Sequence, residues 1–302
     1  MSSARNLIAV LGPTASGKTR LGVALARRYG GEVLSVDSRQ VYRGLDIGSG
    51  KDLDEYGGVP YHLIDIADLA EEMSVFDFQR KFFDAFEQVV ARGALPIAVG
   101  GTGLYLDAVL QKHRMVEAPE DPALRAELAA LSMDELAERL RKLKVTTHNI
   151  TDTRDRDRCI RAIEIATRER DCPPGPAPPI SPVILGVRWP RAEIHKRIAG
   201  RLRERLDNGL IEEVRDLLDS GVSVDRLRQL GLEYRFVTEF IAGEIRSRND
   251  LFQKLRSAIF DFAKRQETWF RRMERNGAYI QWITRGDVTE AFSITDPVFA
   301  RP

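Results

Sequence analysis

The segment Gly12-Pro13-Thr14-Ala15-Ser16-Gly17-Lys18-Thr19 fits G-x-x-x-x-G-K-[ST]. It stands between an apolar run, Leu7–Leu11, and a helical pattern from Gly17 to about Tyr29. Such a loop turns several backbone N–H groups toward one point, and the helix behind it adds the positive end of its dipole. The eight residues Gly12, Pro13, Thr14, Ala15, Ser16, Gly17, Lys18 and Thr19 are therefore the expected phosphate or diphosphate site. Lys18 supplies a mobile charge, and the Thr19 hydroxyl suits a Mg²⁺ ion.

The rest of the pattern extends that strand–loop–helix unit. Val33–Val36, His62–Ile66, Leu95–Val99, Val183–Trp189 and Ala278–Ile283 read as further strands. Helical stretches lie at Val75–Arg92, Arg191–Asp207 and Leu251–Met273. Strands that are apolar on both faces and alternate with helices predict an α/β fold, a parallel sheet covered by helices. From about Lys112 to Asp171 the chain is helical, charged and free of strand signals. Six of the ten residues Pro173–Pro182 are proline, which predicts an extended connector. The expected organisation is a phosphate-loop core over residues 1–111 and 172–302, interrupted by an all-helical insertion over 112–171. The last dozen residues carry no signal.

Composition narrows the class. The 302 residues carry 46 Lys+Arg and 45 Asp+Glu, for a net charge of +1, and are 43% hydrophobic. That is globular composition. No apolar run is long enough for a membrane span, and the N-terminal stretch is too short for a secretory signal. The two cysteines, Cys159 and Cys172, argue against a disulfide framework or a zinc site. A cytoplasmic monomer is the expectation.

A phosphate loop does not name a reaction. Kinases and NTPases usually hold Mg²⁺ through an Asp at the end of another apolar strand. Here the candidate strand, Leu95–Val99, runs instead into Gly100-Gly101-Thr102-Gly103. The carboxylate that does end a strand is Asp37, in Val36-Asp37-Ser38-Arg39-Gln40-Val41-Tyr42. It falls at the carboxyl edge of the expected sheet, where ligands bind in open α/β folds. It suits a Mg²⁺ ligand, a general base or a helix cap. Ser38, Arg39 and Gln40 beside it are of types that hydrogen-bond base edges.

Two helices are locally basic. In Leu251–Arg275 an apolar stripe (Leu251, Leu255, Ala258, Ile259, Phe262, Trp269, Phe270, Met273) opposes Lys254, Lys264, Arg265, Arg271, Arg272 and Arg275. Arg191–Asp207 carries Arg191, Lys196, Arg197, Arg201, Arg203 and Arg205. The insertion adds Arg154, Arg156, Arg158 and Arg161, diluted by Asp152, Asp155 and Asp157. Such faces are either solvated or placed against a polyanion's phosphates.

Taken together, GPTASGKT at 12–19, VDSRQVYRGLDIG at 36–48, PYHLID at 60–65, LPIAVGGTGLYL at 95–106, Arg158–Glu164 and AKRQETWFRR at 263–272 resemble the tRNA dimethylallyltransferases. The resemblance covers most of the chain. It implies transfer of a dimethylallyl group from dimethylallyl diphosphate to N6 of the adenine on the 3′ side of the anticodon, in tRNAs reading codons that begin with U. It implies Mg²⁺ as cofactor, the tRNA anticodon stem-loop as partner, and diphosphate rather than ATP on the phosphate loop. Asp37 is then the base, with Lys18, Thr19 and Arg201 completing the catalytic set. Asp37, Ser38, Arg39, Gln40, Thr102, Arg125, Arg158 and Arg161 match positions of tRNA contact, and the basic face with Lys264 and Arg271 is expected to join them. The chain departs from the family at Ser49-Gly50-Lys51-Asp52, where Thr-Ala-Lys-Pro is usual, and at Gly231-Leu232-Glu233-Tyr234. The alternatives are prenylation of free AMP or ADP, and a phosphate-loop small-molecule kinase.

Overall fold

The computed structural model describes residues 5–110, 114–143 and 155–300. They form two compact units, one comprising residues 1–110 and 179–302, the other residues 111–178.

In the larger unit, six parallel strands form one sheet in the order β3-β2-β4-β1-β5-β6. They are β1 (Leu7–Leu11), β2 (Gly31–Val36), β3 (Tyr61–His62), β4 (Leu95–Gly100), β5 (Pro182–Arg188) and β6 (Ile280–Thr284). β1 is buried at every position, as a central strand covered on both faces must be. Register carries the functional consequence: Leu11 pairs with Gly100 and Gly186, and Val36 also pairs with Gly100. The ends of β1, β2 and β4 are level, so Gly12, Asp37 and Gly101 emerge along one sheet edge. Gly100 is required there, because a Cβ would overlap the Val36 carbonyl.

The third strand is shorter than the expected His62–Ile66. Leu63 and Asp65 take positive φ (67° and 55°), which turns the chain out of the sheet after His62. The first helix, α1 (Lys18–Tyr29), is bounded by Gly17 and Gly30, both left-handed. Ser74 caps α2 (Val75–Ala91) by accepting the Asp77 N–H. α3 (Gly103–Leu110) follows the Gly100–Thr102 turn.

In the smaller unit, α4 (Pro122–Ala129), α5 (Met133–Leu143) and α6 (Arg156–Asp171) enclose a core that includes Leu128, Leu136, Leu140, Cys159 and Ile163. Asp152 and Arg154 lie outside the described residues. Cys159 and Cys172 form no disulfide.

Helices α7 (Arg191–Asp207), α8 (Leu210–Asp219), α9 (Val224–Gln229), α10 (Leu232–Ile241) and α11 (Arg248–Arg275) follow β5. The stretch without sequence signal folds as α12 (Val288–Phe299) despite Pro297. Tyr29 Oη meets Thr295 and donates to Asp296, and Arg28 pairs with Asp296, so tertiary contacts compensate for weak local propensity. Among the described residues, no helix is long and apolar enough to cross a membrane.

Candidate active site at the phosphate loop

Between β1 and α1 the loop bends through left-handed Ala15 and Gly17 (φ 61° and 84°). Its carbonyls are tied back from outside. Trp189 Nε1 donates to Ser16 O (2.8 Å) and Arg197 Nε to Ala15 O (2.8 Å), while the Arg197 guanidinium lies 4.4 Å over the Trp189 ring. Arg201 donates to the Thr14 hydroxyl. With its carbonyls occupied, the loop leaves its amide edge for an anion. The buried Ser16 hydroxyl has no protein partner, a donor available to such a ligand.

One side chain joins this loop to the next strand end. Gln266, buried on α11, accepts the Thr14 N–H (2.9 Å) through Oε1 and donates through Nε2 to Gly101 O (2.8 Å). A Cβ on Gly101 would crowd that amide, which explains the glycine there. The apolar stripe expected on α11 is therefore corrected at two positions. Gln266 is on the buried face, and Phe262 is 37% exposed at the cleft, with Arg265 stacked 5.8 Å from its ring.

Asp37 follows β2 on the facing side. Its Oδ1 accepts the Arg39 N–H (2.9 Å), an Asx-type turn with no helix behind it. The Ser38 N–H donates to Thr102 Oγ1 (3.1 Å), joining this turn to the Gly100–Thr102 turn. Gln40 is buried and internal, donating to Gly50 O and accepting the Ser35 hydroxyl. The next wall, residues 46–50, is fixed by Glu213, whose carboxylate accepts the N–H groups of Asp46, Ile47 and Gly48. Tyr234 donates to Glu213 and accepts the Ser49 N–H. Lys51 is sealed in with Asp46, Asp65 and the Tyr42 carbonyl. The loop, the Asp37 turn, this wall and the inward faces of α7 and α11 enclose a cleft of about 700 Å³.

The cleft is electropositive. Burial pushes the Lys18 ammonium down to about 8, with Asp37 opposing and Arg201 and Arg205 assisting. Burial, followed by the neighbouring Arg205, lowers Arg201 to about 10. Clustered, desolvated cations of this kind suit a polyanion.

The expected site residues thus fall into three groups. Gly12–Thr19, Asp37, Ser38, Arg39, Gln40, Thr102 and Arg201 meet around the cleft or its walls. Lys264 and Arg271 are exposed on α11, the latter 3.5 Å from Glu267. In the helical unit Arg158 is exposed on α6, while Arg125 and Arg161 converge on Glu164, which is 2% exposed. Burial alone would raise that carboxyl. Hydrogen bonds from Arg125, the Asp121 N–H and Arg161 outweigh it and hold Glu164 at about 2. Arg125→Ala leaves the buried carboxylate with one guanidinium fewer. Its thermal midpoint is expected to fall by a few degrees in a melting scan, whatever its effect on ligand binding.

Charge counting on Arg191–Asp207 misses that Arg205 is buried beside the cleft and that Arg197, though exposed, reaches back to the phosphate loop next to Arg201. The available signal is their spacing, i, i+4 and i+8, on one helix face. Gln266 is signalled only by a polar residue at a core position.

A parallel α/β sheet with a phosphate loop, a facing carboxylate and a cationic helix defines a phosphate-loop protein. The IPP transferase family model matches residues 40–273, and the isopentenyl transferase model matches residues 5–57. The chain belongs to the IPP transferase family. It is 60% identical to tRNA dimethylallyltransferase 2 of Syntrophotalea carbinolica over 280 residues, covering 92% of this chain and 94% of the relative. It is 58% identical to tRNA dimethylallyltransferase 2 of Trichlorobacter lovleyi, covering 93% of each. Among solved structures, the tRNA isopentenylpyrophosphate transferase of Bacillus halodurans superposes with a TM-score of 0.72 at 33% identity, over 98% of this chain and 97% of that one. A eukaryotic dimethylallyltransferase acting on tRNA shares the fold, with a TM-score of 0.79 at 22% identity, over 99% of this chain and 81% of that one.

Proposed function

We propose that this protein transfers the dimethylallyl group of dimethylallyl diphosphate to N6 of the adenine on the 3′ side of the anticodon, in tRNAs reading codons that begin with U. The observation that carries the reading is the shared cleft of Asp37 with the phosphate loop, Lys18 and Arg201. Loop amides, Lys18 and Arg201 hold the diphosphate. The amine nitrogen attacks the allylic carbon, the carbon–oxygen bond breaks, and its electron pair leaves on the diphosphate oxygen. Charge grows on that oxygen as the bond stretches, and the fixed cations stabilise it there. The N6 lone pair is delocalised into the ring, so the amine is a weak nucleophile until its proton departs to Asp37. A base reached in this way must be out of its stack, which an anticodon loop permits.

Mg²⁺ fits this donor set. The Thr19 hydroxyl at the cleft is a hard oxygen donor, and Mg²⁺ takes few protein ligands, completing its shell with phosphate oxygens and waters. The Thr19 hydroxyl would hold it, and the ion would add charge neutralisation at the diphosphate.

Mass analysis of RNA after incubation with dimethylallyl diphosphate tests the reading. The expected product is one prenylated adenosine in the anticodon loop. Prenylated AMP with unmodified tRNA, or consumption of ATP, would overturn it.

The exposed cations of α11 are assigned to RNA phosphates, together with Arg158 of the insertion. Replacing Lys264 and Arg271 with Ala is expected to flatten the slope of log affinity for tRNA against log salt by about one to two units. The transfer rate at saturating tRNA is expected to hold, because phosphate contacts position the RNA without touching the reacting atoms.

A further inference from the structure

Helix α7 lines the cleft with three arginines at successive turns, Arg197, Arg201 and Arg205. Arg197 and Arg201 are accounted for by the phosphate loop. Arg205 stands one turn further, about 6 Å along the helix axis, and is only 8% exposed. Its Nη1 reaches the Gly48 carbonyl at 3.4 Å. The nearest carboxylates, Asp52 and Glu233, stand at 3.9 and 3.8 Å, and Nη2 makes no hydrogen bond. A buried guanidinium with its counter-ions 3.8–3.9 Å away keeps a charge that they only partly offset.

The surroundings are shaped for that side chain. Nη2 lies against Gly50, where a Cβ would overlap it, and Gly50 takes a φ of +67°. Gly50 and Asp52 come from the segment after the Asp37 turn and Glu233 from α10, so Arg205 lies between two stretches far apart in sequence. Its charge is also felt across the cleft, since it helps to lower both Lys18 and Arg201.

We propose that Arg205 is a third cation of the diphosphate site, acting through space on the diphosphate, with Asp52 and Glu233 setting how much of its charge the ligand feels. This rests on the cleft being a diphosphate site. Arg201 takes the diphosphate from the loop side, and Arg205 adds an attractive field from one turn beyond. The field favours a diphosphate over a monophosphate, because the extra charge on the ligand multiplies the same potential. Arg205 touches none of the reacting atoms and is a positioning residue, bearing on retention of the donor and of the product pyrophosphate.

Calorimetric titration of the full chain with pyrophosphate in Mg²⁺ buffer tests this. Arg205→Met is expected to weaken binding about tenfold, the scale of one partly buried charge at short range. Arg205→Lys is expected to recover most of that loss. Glu233→Gln, which removes a counter-charge, is expected to tighten pyrophosphate binding several-fold. The opposite signs separate an electrostatic role from a structural one, which would weaken binding or leave it unmoved in both. A folded Arg205→Met with wild-type affinity would overturn the proposal, as would a Glu233→Gln that binds no tighter. If Arg205→Met fails to fold, Glu233→Gln decides alone. A wild-type chain that binds no pyrophosphate, or a Lys18→Ala variant that binds it as well as wild type, would sink the site reading itself and the proposal with it.

Discussion

Asp37→Asn is expected to lower the single-turnover rate of prenyl transfer at saturating tRNA by about 10²–10⁴-fold, the usual contribution of a general base. The substitution is nearly isosteric. Asp37 Oδ1 accepts the Arg39 N–H, and the Asn carbonyl oxygen accepts the same bond, so the turn that aims the side chain survives. What disappears is the capacity to take the N6 proton. Affinity for tRNA is expected to change far less, because Ser38 remains tied to Thr102 and Gln40 to Gly50. A variant with weakened tRNA binding and an intact single-turnover rate would make Asp37 a positioning group only.

Lys18→Ala is expected to cost about 10²–10³-fold in transfer rate, the range seen when one preorganised donor to a developing oxyanion is removed. Its ammonium holds no more than a 3.5 Å contact to the Pro13 carbonyl, so little structure depends on it. The wild-type protein should carry a matching pH signature. With Lys18 lowered to about 8, the free site holds an ammonium below that pH and loses it above. Diphosphate binds the protonated form and holds the proton on. Donor affinity is therefore expected to be flat below pH 8 and to fall about tenfold per unit above it. Lys18→Ala should abolish that limb in a pyrophosphate titration run from pH 7 to 9.

The phosphate loop and its flanking elements were legible because every local signal agreed: an apolar strand, two left-handed glycine positions and a helix. Asp37 was legible as a carboxylate at a strand end. Of the α7 arginines only Arg201 was marked, by the family resemblance; Arg197 and Arg205 were not, because composition counts charges without saying which face they leave from. Arg197, Arg201 and Arg205 look like the solvated cations around them until β5 and the loop are packed beneath. α11 misled at Phe262, which reads as core and sits at the cleft, and left Gln266 unread, a polar residue at a core position whose loop partners lie far away in sequence. Arg125 and Arg161 could not be separated from surface cations until Glu164 was placed between them.

Gln266 also bears on how the protein comes into being. The loop it closes occupies residues 12–19, yet its ties come from Trp189, Arg197, Arg201 and Gln266, the last 252 positions away from Thr14. A chain emerging from the ribosome displays its phosphate loop among the first residues and has nothing to tie it back until most of the sequence has been made. Such long-range closure slows folding. A chain ending before α11 carries the loop's sequence and β1–β5 but lacks β6 and the Gln266 tie, and is expected to lose the closed loop.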